Sequence, residues 1–316
     1  MAFGAVILFF ALVLDRLIGD PRSRWHPVAL LGTVIGWWGK TNYYPKRLER
    51  LTGIAGWLLT VAVFTLPFLL ICLIPTRYWF IQIPLAVAVL SFCFASRSLE
   101  EHVTDVEAAL ARGESEGRAA VQMLVSRDAG KLSFEQVRSA AYESASENLV
   151  DSIVAPIFWF AVFELLFGMG IAGAALFRAA NTMDAMLGYK DDRIRIGWFA
   201  ARMDDVLAWI PARITGGLLL ILFACRGRAG RAVAVFRADG KKRPGFNGGI
   251  PMSLIAGGCG VMFDKPGVYT IGSPEQTLEK GGHCIIRTLR ETTILFSALL
   301  LLLLLIIQGD VFLLLP

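Results

Sequence analysis

Uninterrupted apolar runs govern what this chain can fold into. Residues 51–75, 79–95 and 292–307 each come near the ~20 apolar residues that cross ~30 Å of hydrocarbon as a helix. Backbone in hydrocarbon must satisfy its own polar groups, so such runs predict helices. Composition agrees: of 316 residues, 55% are hydrophobic and 18% charged, and the charges gather between the runs. This pattern excludes an ordinary soluble enzyme, a disordered chain and a secreted disulfide scaffold. It predicts an all-α, polytopic integral membrane protein with several transmembrane helices.

The N-terminal run over 1–14 reads as an uncleaved first span continuing toward Ile18, since it has no basic leader and no small-residue cleavage site. The turn Thr76-Arg77-Tyr78 is short enough to force the next two spans into an antiparallel hairpin, placing 15–50 and 96–149 on one side. Both segments are basic, with Arg16, Arg22, Arg24, Lys46, Arg47, Arg97, Arg112, Arg118 and Arg127 against the single Arg77 opposite. The positive-inside rule makes that side cytoplasmic, and the same loops explain the net charge of +5 without a nucleic-acid partner. The apolar stretches 153–177 and 206–225 carry Pro156, Glu164, Pro211 and Arg213, which predicts re-entrant or broken helices. Single crossings would put 178–205 outside and 226–291 back inside; dips would not, and both parities are open.

The expected organisation is one membrane-embedded domain over 1–316, with a cytoplasmic helical insertion at 96–149 and a basic, then Gly/Pro-rich, loop region at 226–291. Within the insertion Leu99, Val103, Val106 and Leu110 recur at helical spacing, and Ser133 with Glu135 and Gln136 marks a helix start. The five cysteines, Cys72, Cys93, Cys225, Cys259 and Cys284, are odd in number and contain no Cys-x-x-Cys pair, which predicts neither a disulfide framework nor a zinc site. The run Gly257-Gly258-Cys259-Gly260 suits close helix packing. Neither a P-loop nor a Gly-x-Ser-x-Gly elbow is present.

Three polar constellations carry the chemistry. Glu143, Glu147 and Asp151 are spaced four apart, an acidic ladder that leads into an apolar stretch and calls for a cation or a basic partner; Asn148 adds a neutral oxygen ligand. Asn181 and Asp184 share a helical face and suit Mg²⁺, which takes one or two carboxylates with water and phosphate, while Lys190 follows Gly188-Tyr189 as a phosphate contact. Arg202-Met203-Asp204-Asp205 precedes Pro211-Ala212-Arg213, and an intramembrane Arg pairs with a carboxylate or faces a polar cavity. Because Asp204 and Asp205 point about 100° apart on a helix, only one of them faces a given ligand. His26 lies near the first span beside Arg22 and Arg24, as a phosphate contact, an acid or base, or a structural histidine.

In this order, Asp15-Arg16-Leu17-Ile18-Gly19-Asp20-Pro21, His26-Pro27-Val28, Arg127-Asp128, Glu143-Ser144-Ala145-Ser146-Glu147-Asn148, Asp151, Asn181-Thr182-Met183-Asp184, Gly188-Tyr189-Lys190, Arg202-Met203-Asp204-Asp205 and Pro211-Ala212-Arg213 resemble one family along nearly the whole chain. The chain resembles the adenosylcobinamide-phosphate synthase family of cobalamin-biosynthesis membrane proteins. It departs from the usual pattern at Ala129, Ser152 and Leu207-Ala208-Trp209, and its Asn247-Gly248-Gly249 loop only approximates that pattern.

The resemblance implies an ATP- and Mg²⁺-dependent ligase in a bacterial cytoplasmic (inner) membrane. It would join adenosylcobyric acid to aminopropanol phosphate, or ethanolamine phosphate, through an amide. Its partners would be these substrates and membrane lipid, with a homo-oligomer or contacts to other corrinoid-pathway membrane enzymes also open. A carboxylate must be activated before an amine attacks it, so Glu147, Asp151, Asp184 and Asp205 are expected to hold metal. Arg202, Arg213 and Lys190 would bind phosphate, with Asn181 and Asn148 also on substrate, and Glu143 or His26 would take the ammonium proton. A non-catalytic membrane regulator or transporter is the alternative, followed by an intramembrane prenyltransferase suggested by Asn181-x-x-Asp184.

Overall fold

The computed structural model describes residues 3–20, 23–125 and 127–313, with side chains to 309; Pro21 and Arg22 lie outside the described residues. The chain is built almost entirely of helices. Among the described residues four helical stretches are long and apolar enough to cross a membrane: Glu49–Cys72, Thr76–Leu110, Phe134–Phe167 and Leu278–Gly309. The pair Trp198–Leu207 and Trp209–Cys225 makes a fifth if the two count as one bent span. The protein is therefore an all-α polytopic membrane protein. The expected first span is a helix of 15 residues, which at 1.5 Å per residue reaches about 22 Å, short of a full crossing.

The chain, expected to be one domain, divides into two compact units. The first unit, Met1–Ala95, Ala155–Ala208 and Ser297–Pro316, holds α1 (Gly4–Ile18), α2 (Pro27–Trp38), α3 (Glu49–Cys72), α4 (Trp79–Ser91), α8 (Ala155–Phe167), α9 (Gly170–Leu187) and α10 (Trp198–Leu207). The second, Ser96–Val154 and Trp209–Phe296, holds α5 (Ser96–Leu110), α6 (Glu114–Gln122), α7 (Phe134–Leu149), α11 (Trp209–Cys225), α12 (Ala229–Asp239), α13 (Gly249–Cys259) and the strands β1 (Met262–Lys265) and β2 (Tyr269–Gly272). The last helix, α14 (Leu278–Leu313), begins in the second unit and ends in the first.

In the first unit the expected hairpin of α3 and α4 closes through a 3-10 turn at Thr76–Tyr78. Buried Gln82 donates to the carbonyls of Ile71, Cys72 and Ile74 at 3.1–3.3 Å. These carbonyls lie at and just past the C-terminus of α3, where helix carbonyls run short of backbone donors, and one polar side chain adds a donor to all three. The stretch 153–177 is not one continuous helix. It breaks at Gly168, whose φ of 66° a β-carbon would resist, and α9 folds back antiparallel on α8 with Gly173 against the Trp159 carbonyl. The segment after α9 thus returns to the end of the unit that holds 41–49. Thr41 donates to Asp192 at 3.1 Å, and Arg195 lies 3.5 Å from the buried Glu49 carboxylate. Residues 188–197 therefore lie at the same end of the first unit as the basic loop before α3.

In the second unit the helical stripe is a core. Val106 and Leu110 pack with Val121, Ala129, Leu132, Val137, Ala140 and Ala141, each large aliphatic side chain contributing roughly 1.5–3 kcal/mol by burial. Ser133 and Gln136 form a reciprocal capping box that starts α7. Residues 226–291, expected as loop, hold α12, α13, the hairpin and the start of α14. The Gly-rich run lets α13 approach its neighbours: a β-carbon on Gly258 would fall 2.3 Å from the Phe223 ring. The cysteine expectation is corrected here. Cys259 at the end of α13 is disulfide-bonded to Cys284 on α14, a pairing that helix packing creates across 25 residues and that no sequence spacing announces.

Candidate functional site

The second unit holds a polar cluster on α7. Glu143 is buried and accepts hydrogen bonds from Ser139 Oγ at 2.6 Å and Tyr269 OH at 2.9 Å, while Arg127 Nη2 lies 3.5 Å away. Ser139, one turn earlier, accepts from the Asp264 backbone N–H at 2.6 Å, and Gln136 donates to the Asp264 carboxylate at 3.1 Å. Two contacts from α7 therefore hold β1, and the antiparallel register Lys265↔Tyr269 brings Tyr269 on β2 over the same helix. Burial, then the carboxylates of Glu143 and Glu147, push the Tyr269 phenol well above its usual range, so it stays a neutral donor.

One turn beyond Glu143, Glu147 is ion-paired with Arg243. Burial disfavours the Arg243 charge, but Glu147, aided by Tyr269 and Asp151, more than reverses that effect and holds the guanidinium protonated. The acidic ladder thus has the basic partners its spacing demanded: Arg127 for Glu143 and Arg243 for Glu147. Asp151 lies in a π-helical turn, Val150–Val154, where the four-residue repeat is broken. Asn148 donates to the Ser144 carbonyl at 2.9 Å and accepts from Ser152 Oγ at 3.0 Å, which commits its amide along the helix.

Arg213, expected on phosphate, instead donates to Asn247 Oδ1 at 2.7 Å and to the carbonyls of Trp209 and Phe246 at 3.0 and 3.2 Å, with its guanidinium stacked 4.4 Å from the Trp209 ring centre. These acceptors are neutral and come from the 244–248 loop and from Trp209 one turn earlier on α11.

In the first unit Asn181 Nδ2 donates to Asp204 Oδ1 at 3.1 Å, joining α9 to α10. Of the two adjacent carboxylates, Asp204 turns inward and is buried, while Asp205 is half-buried. Asp184 is half-buried on α9 one turn after Asn181. Lys190 and Arg202 are exposed. Beside Lys190, Arg193 stacks 4.1 Å from the Tyr189 ring centre and donates to the Met186 carbonyl at 2.9 Å. Its side-chain hydrogen bonds hold the Asp191 carboxyl well below the usual carboxylate range.

His26 caps α2: its Nδ1 accepts from the Val28 N–H at 3.2 Å, its Nε2 lies 2.7 Å from Asp20, and its ring stands edge-on to Phe92. Its Nδ1 is committed to the helix cap, and its buried Nε2 faces the Asp20 carboxylate.

The four carboxylates expected to hold metal divide between the units, Glu147 and Asp151 in the second, Asp184 and Asp205 in the first. Among the described residues no group of three or more His, Cys, Asp or Glu side chains is arranged as a metal ligand set. That donor chemistry does not fit a dedicated all-protein cage. Sequence reasoning missed Ser139 and Tyr269, which sit at no diagnostic spacing, named Arg243 and Asn247 without foreseeing their partners, and gave Arg127 no site role although it lies in a quoted motif.

A family model described as CobD/Cbib protein matches residues 8–295. A protein of Methanothermobacter thermautotrophicus, named a probable cobalamin biosynthesis protein CobD, is 38% identical over 85% of this chain and 86% of its own. Relatives with the same name in Pyrococcus abyssi and Thermococcus kodakarensis are each 37% identical, over 84% of both chains in the first case, and over 85% of this chain and 86% of the relative in the second. These three relatives are archaeal, so they lend no support to the expectation of a bacterial membrane. No solved structure matches the chain.

Proposed function

Because this chain belongs to the CobD/CbiB family, whose curated members are named for cobalamin biosynthesis, we propose that it is the amide-forming ligase of that pathway. It condenses adenosylcobyric acid with aminopropanol phosphate or ethanolamine phosphate at the expense of ATP, giving adenosylcobinamide phosphate. The observation that carries this beyond membership is the environment of Glu143. A buried carboxylate held from two sides by neutral donors, with a guanidinium nearby, is fixed in place to take a proton from an incoming ammonium.

The residues divide the work as follows. Glu143 removes the proton that makes the amine a nucleophile, and Ser139 and Tyr269 keep its carboxylate oriented without cancelling its charge. Lys190 and Arg202, both exposed, are the phosphate contacts in the first unit. Arg213 positions the Phe246–Asn247 loop. The carboxylates proposed to meet Mg²⁺ are Glu147 and Asp151 in the second unit and Asp184 and Asp205 in the first. When bound, Mg²⁺ would neutralise phosphate charge as the substrate carboxylate is activated.

The test is mass spectrometry of a reaction containing the detergent-purified chain, adenosylcobyric acid, aminopropanol phosphate, ATP and Mg²⁺, with each omitted in turn and ethanolamine phosphate tried as replacement. A product at the mass of the condensed amide, absent without ATP, is expected. A folded protein giving no product with either amine would overturn the ligase reading in favour of a non-catalytic relative.

A further inference from the structure

We propose that Arg127 and Glu143 form a receptor for the two charged ends of an amino-alkyl phosphate, with the guanidinium on the phosphate and the carboxylate on the ammonium. This deepens the ligase reading and rests on it for the identity of the amine substrate.

Arg127 is the observation. Its side chain is about four-fifths buried, only 20% exposed, and Glu143 opposite is 7% exposed. The Nη2···Oε1 separation of 3.5 Å is an ion pair but lies outside the range of a good N–H···O hydrogen bond. Nε and Nη1 are shielded from solvent and meet no acceptor among the described residues. Buried donors are ordinarily satisfied, and leaving two on one charged group is costly. The neighbouring arginines show the contrast: Arg243 is on Glu147, Arg213 on Asn247 and two carbonyls, and Arg138 on Glu107.

The side chain is not astray on a loose loop. Gln122 donates to the carbonyls of Val125 and Arg127 and accepts from the Ala129 N–H at 2.9 Å, and Ala129 and Leu132 are buried in the core of the unit. The backbone is built to hold Arg127 there.

Glu143 is the complementary half. Its two oxygens take the hydroxyls of Ser139 and Tyr269, both neutral, and a carboxylate has about four lone-pair sites, so an ammonium still finds an acceptor. Planar guanidinium donors match phosphate oxygens. An amine and a phosphate joined by a short carbon chain carry opposite charges a few bonds apart, as this pair does in mirror sense. The site therefore recognises the phosphorylated amine over the free amino alcohol.

Calorimetric binding to the full chain in detergent tests this with aminopropanol phosphate, aminopropanol and inorganic phosphate, each with and without adenosylcobyric acid. The wild-type protein is expected to bind aminopropanol phosphate at least roughly tenfold more tightly than either fragment, the scale of one charge-assisted hydrogen bond. Arg127→Lys keeps a cation opposite Glu143 but loses the planar donors. It should weaken aminopropanol phosphate by a similar factor and leave aminopropanol unchanged, while Glu143→Gln should weaken both amines.

Equal wild-type affinity for aminopropanol and its phosphate overturns the proposal without any variant, as does unchanged affinity in a folded Arg127→Lys protein or no binding of aminopropanol phosphate at all. If this binding pattern holds but no amide forms, the ligase reading falls and the receptor stands. If amide forms and Arg127→Lys leaves the KM for the amine phosphate unchanged, the receptor falls and the ligase reading stands.

Discussion

Tyr269 donates its hydroxyl to Glu143 Oε2 at 2.9 Å across 126 residues of sequence, tying a strand of the small hairpin to the helix that carries the proposed base. Ser139 does the same from within that helix. The relationship places a short hairpin, in an otherwise helical protein, in the cluster proposed to carry the chemistry.

Tyr269→Phe should lower kcat/KM about tenfold or more, the scale of a hydrogen bond to a charged group. It also carries a signature in alkali. The folded phenol is raised above its unfolded value near 10, so the unfolded chain loses its proton first. Tyr269 therefore supports stability in full below pH ~10, and that support is lost as pH rises through the folded pKa, at up to about 1.4 kcal/mol per pH unit. Melting curves between about pH 9 and 11 should fall less steeply in the Phe variant; parallel curves would count against a buried, neutral phenol.

Arg243 and Glu147 should behave as one unit. Each half-shielded partner removed alone is expected to cost about 1–3 kcal/mol, between the values for exposed and buried pairs. Removing both should cost less than the sum, and a double-mutant cycle on thermal or denaturant stability reads the coupling directly.

Asn181→Asp should do more harm than Asn181→Ala. The amide donates to Asp204 at 3.1 Å, so a carboxylate in its place sets two like charges in contact, whereas alanine removes one donor at about 1–2 kcal/mol. Lowering pH should recover stability in the Asp variant as one carboxyl protonates, and leave the Ala variant with no such recovery.

Arg213→Lys separates a structural clamp from a phosphate ligand. Loss of the bonds to Asn247 and the Phe246 carbonyl should lower thermal stability by roughly 1–3 kcal/mol. A change in the KM for phosphorylated substrates with no change in melting would assign Arg213 to phosphate instead.

The Cys259–Cys284 bond closes a loop of 25 residues, which in the chain-entropy view stabilises the fold by about 3 kcal/mol. Non-reducing mass analysis after alkylation should find three modified cysteines in the unfolded chain, and five after reduction, with a lower melting temperature.

Hydropathy by itself determined the solvent and the class. Stretches near 20 residues with few charges have no stable alternative to spanning helices, and the Thr76-Arg77-Tyr78 turn set the hairpin of α3 and α4 before any coordinates. The stripe Leu99, Val103, Val106, Leu110 and the Ser133 cap were legible because helix geometry is periodic and local. So was the demand of the Glu143, Glu147, Asp151 ladder for basic partners, since like charges one turn apart repel wherever the helix lies.

Which partners answered was decided only by tertiary structure. Arg243 and Tyr269 come from segments about a hundred residues downstream, joined to α7 by β1 register and by the backbone N–H of Asp264, and pairing across that separation leaves no trace in spacing. The break at Gly168 was hidden for a related reason. An apolar run of 25 residues looks the same whether it crosses once or turns back, and only the packing of α9 against α8 distinguishes them. The same packing chose Asp204 over Asp205, brought Cys259 to Cys284, and set Arg127 beside Glu143 with donors still to be filled.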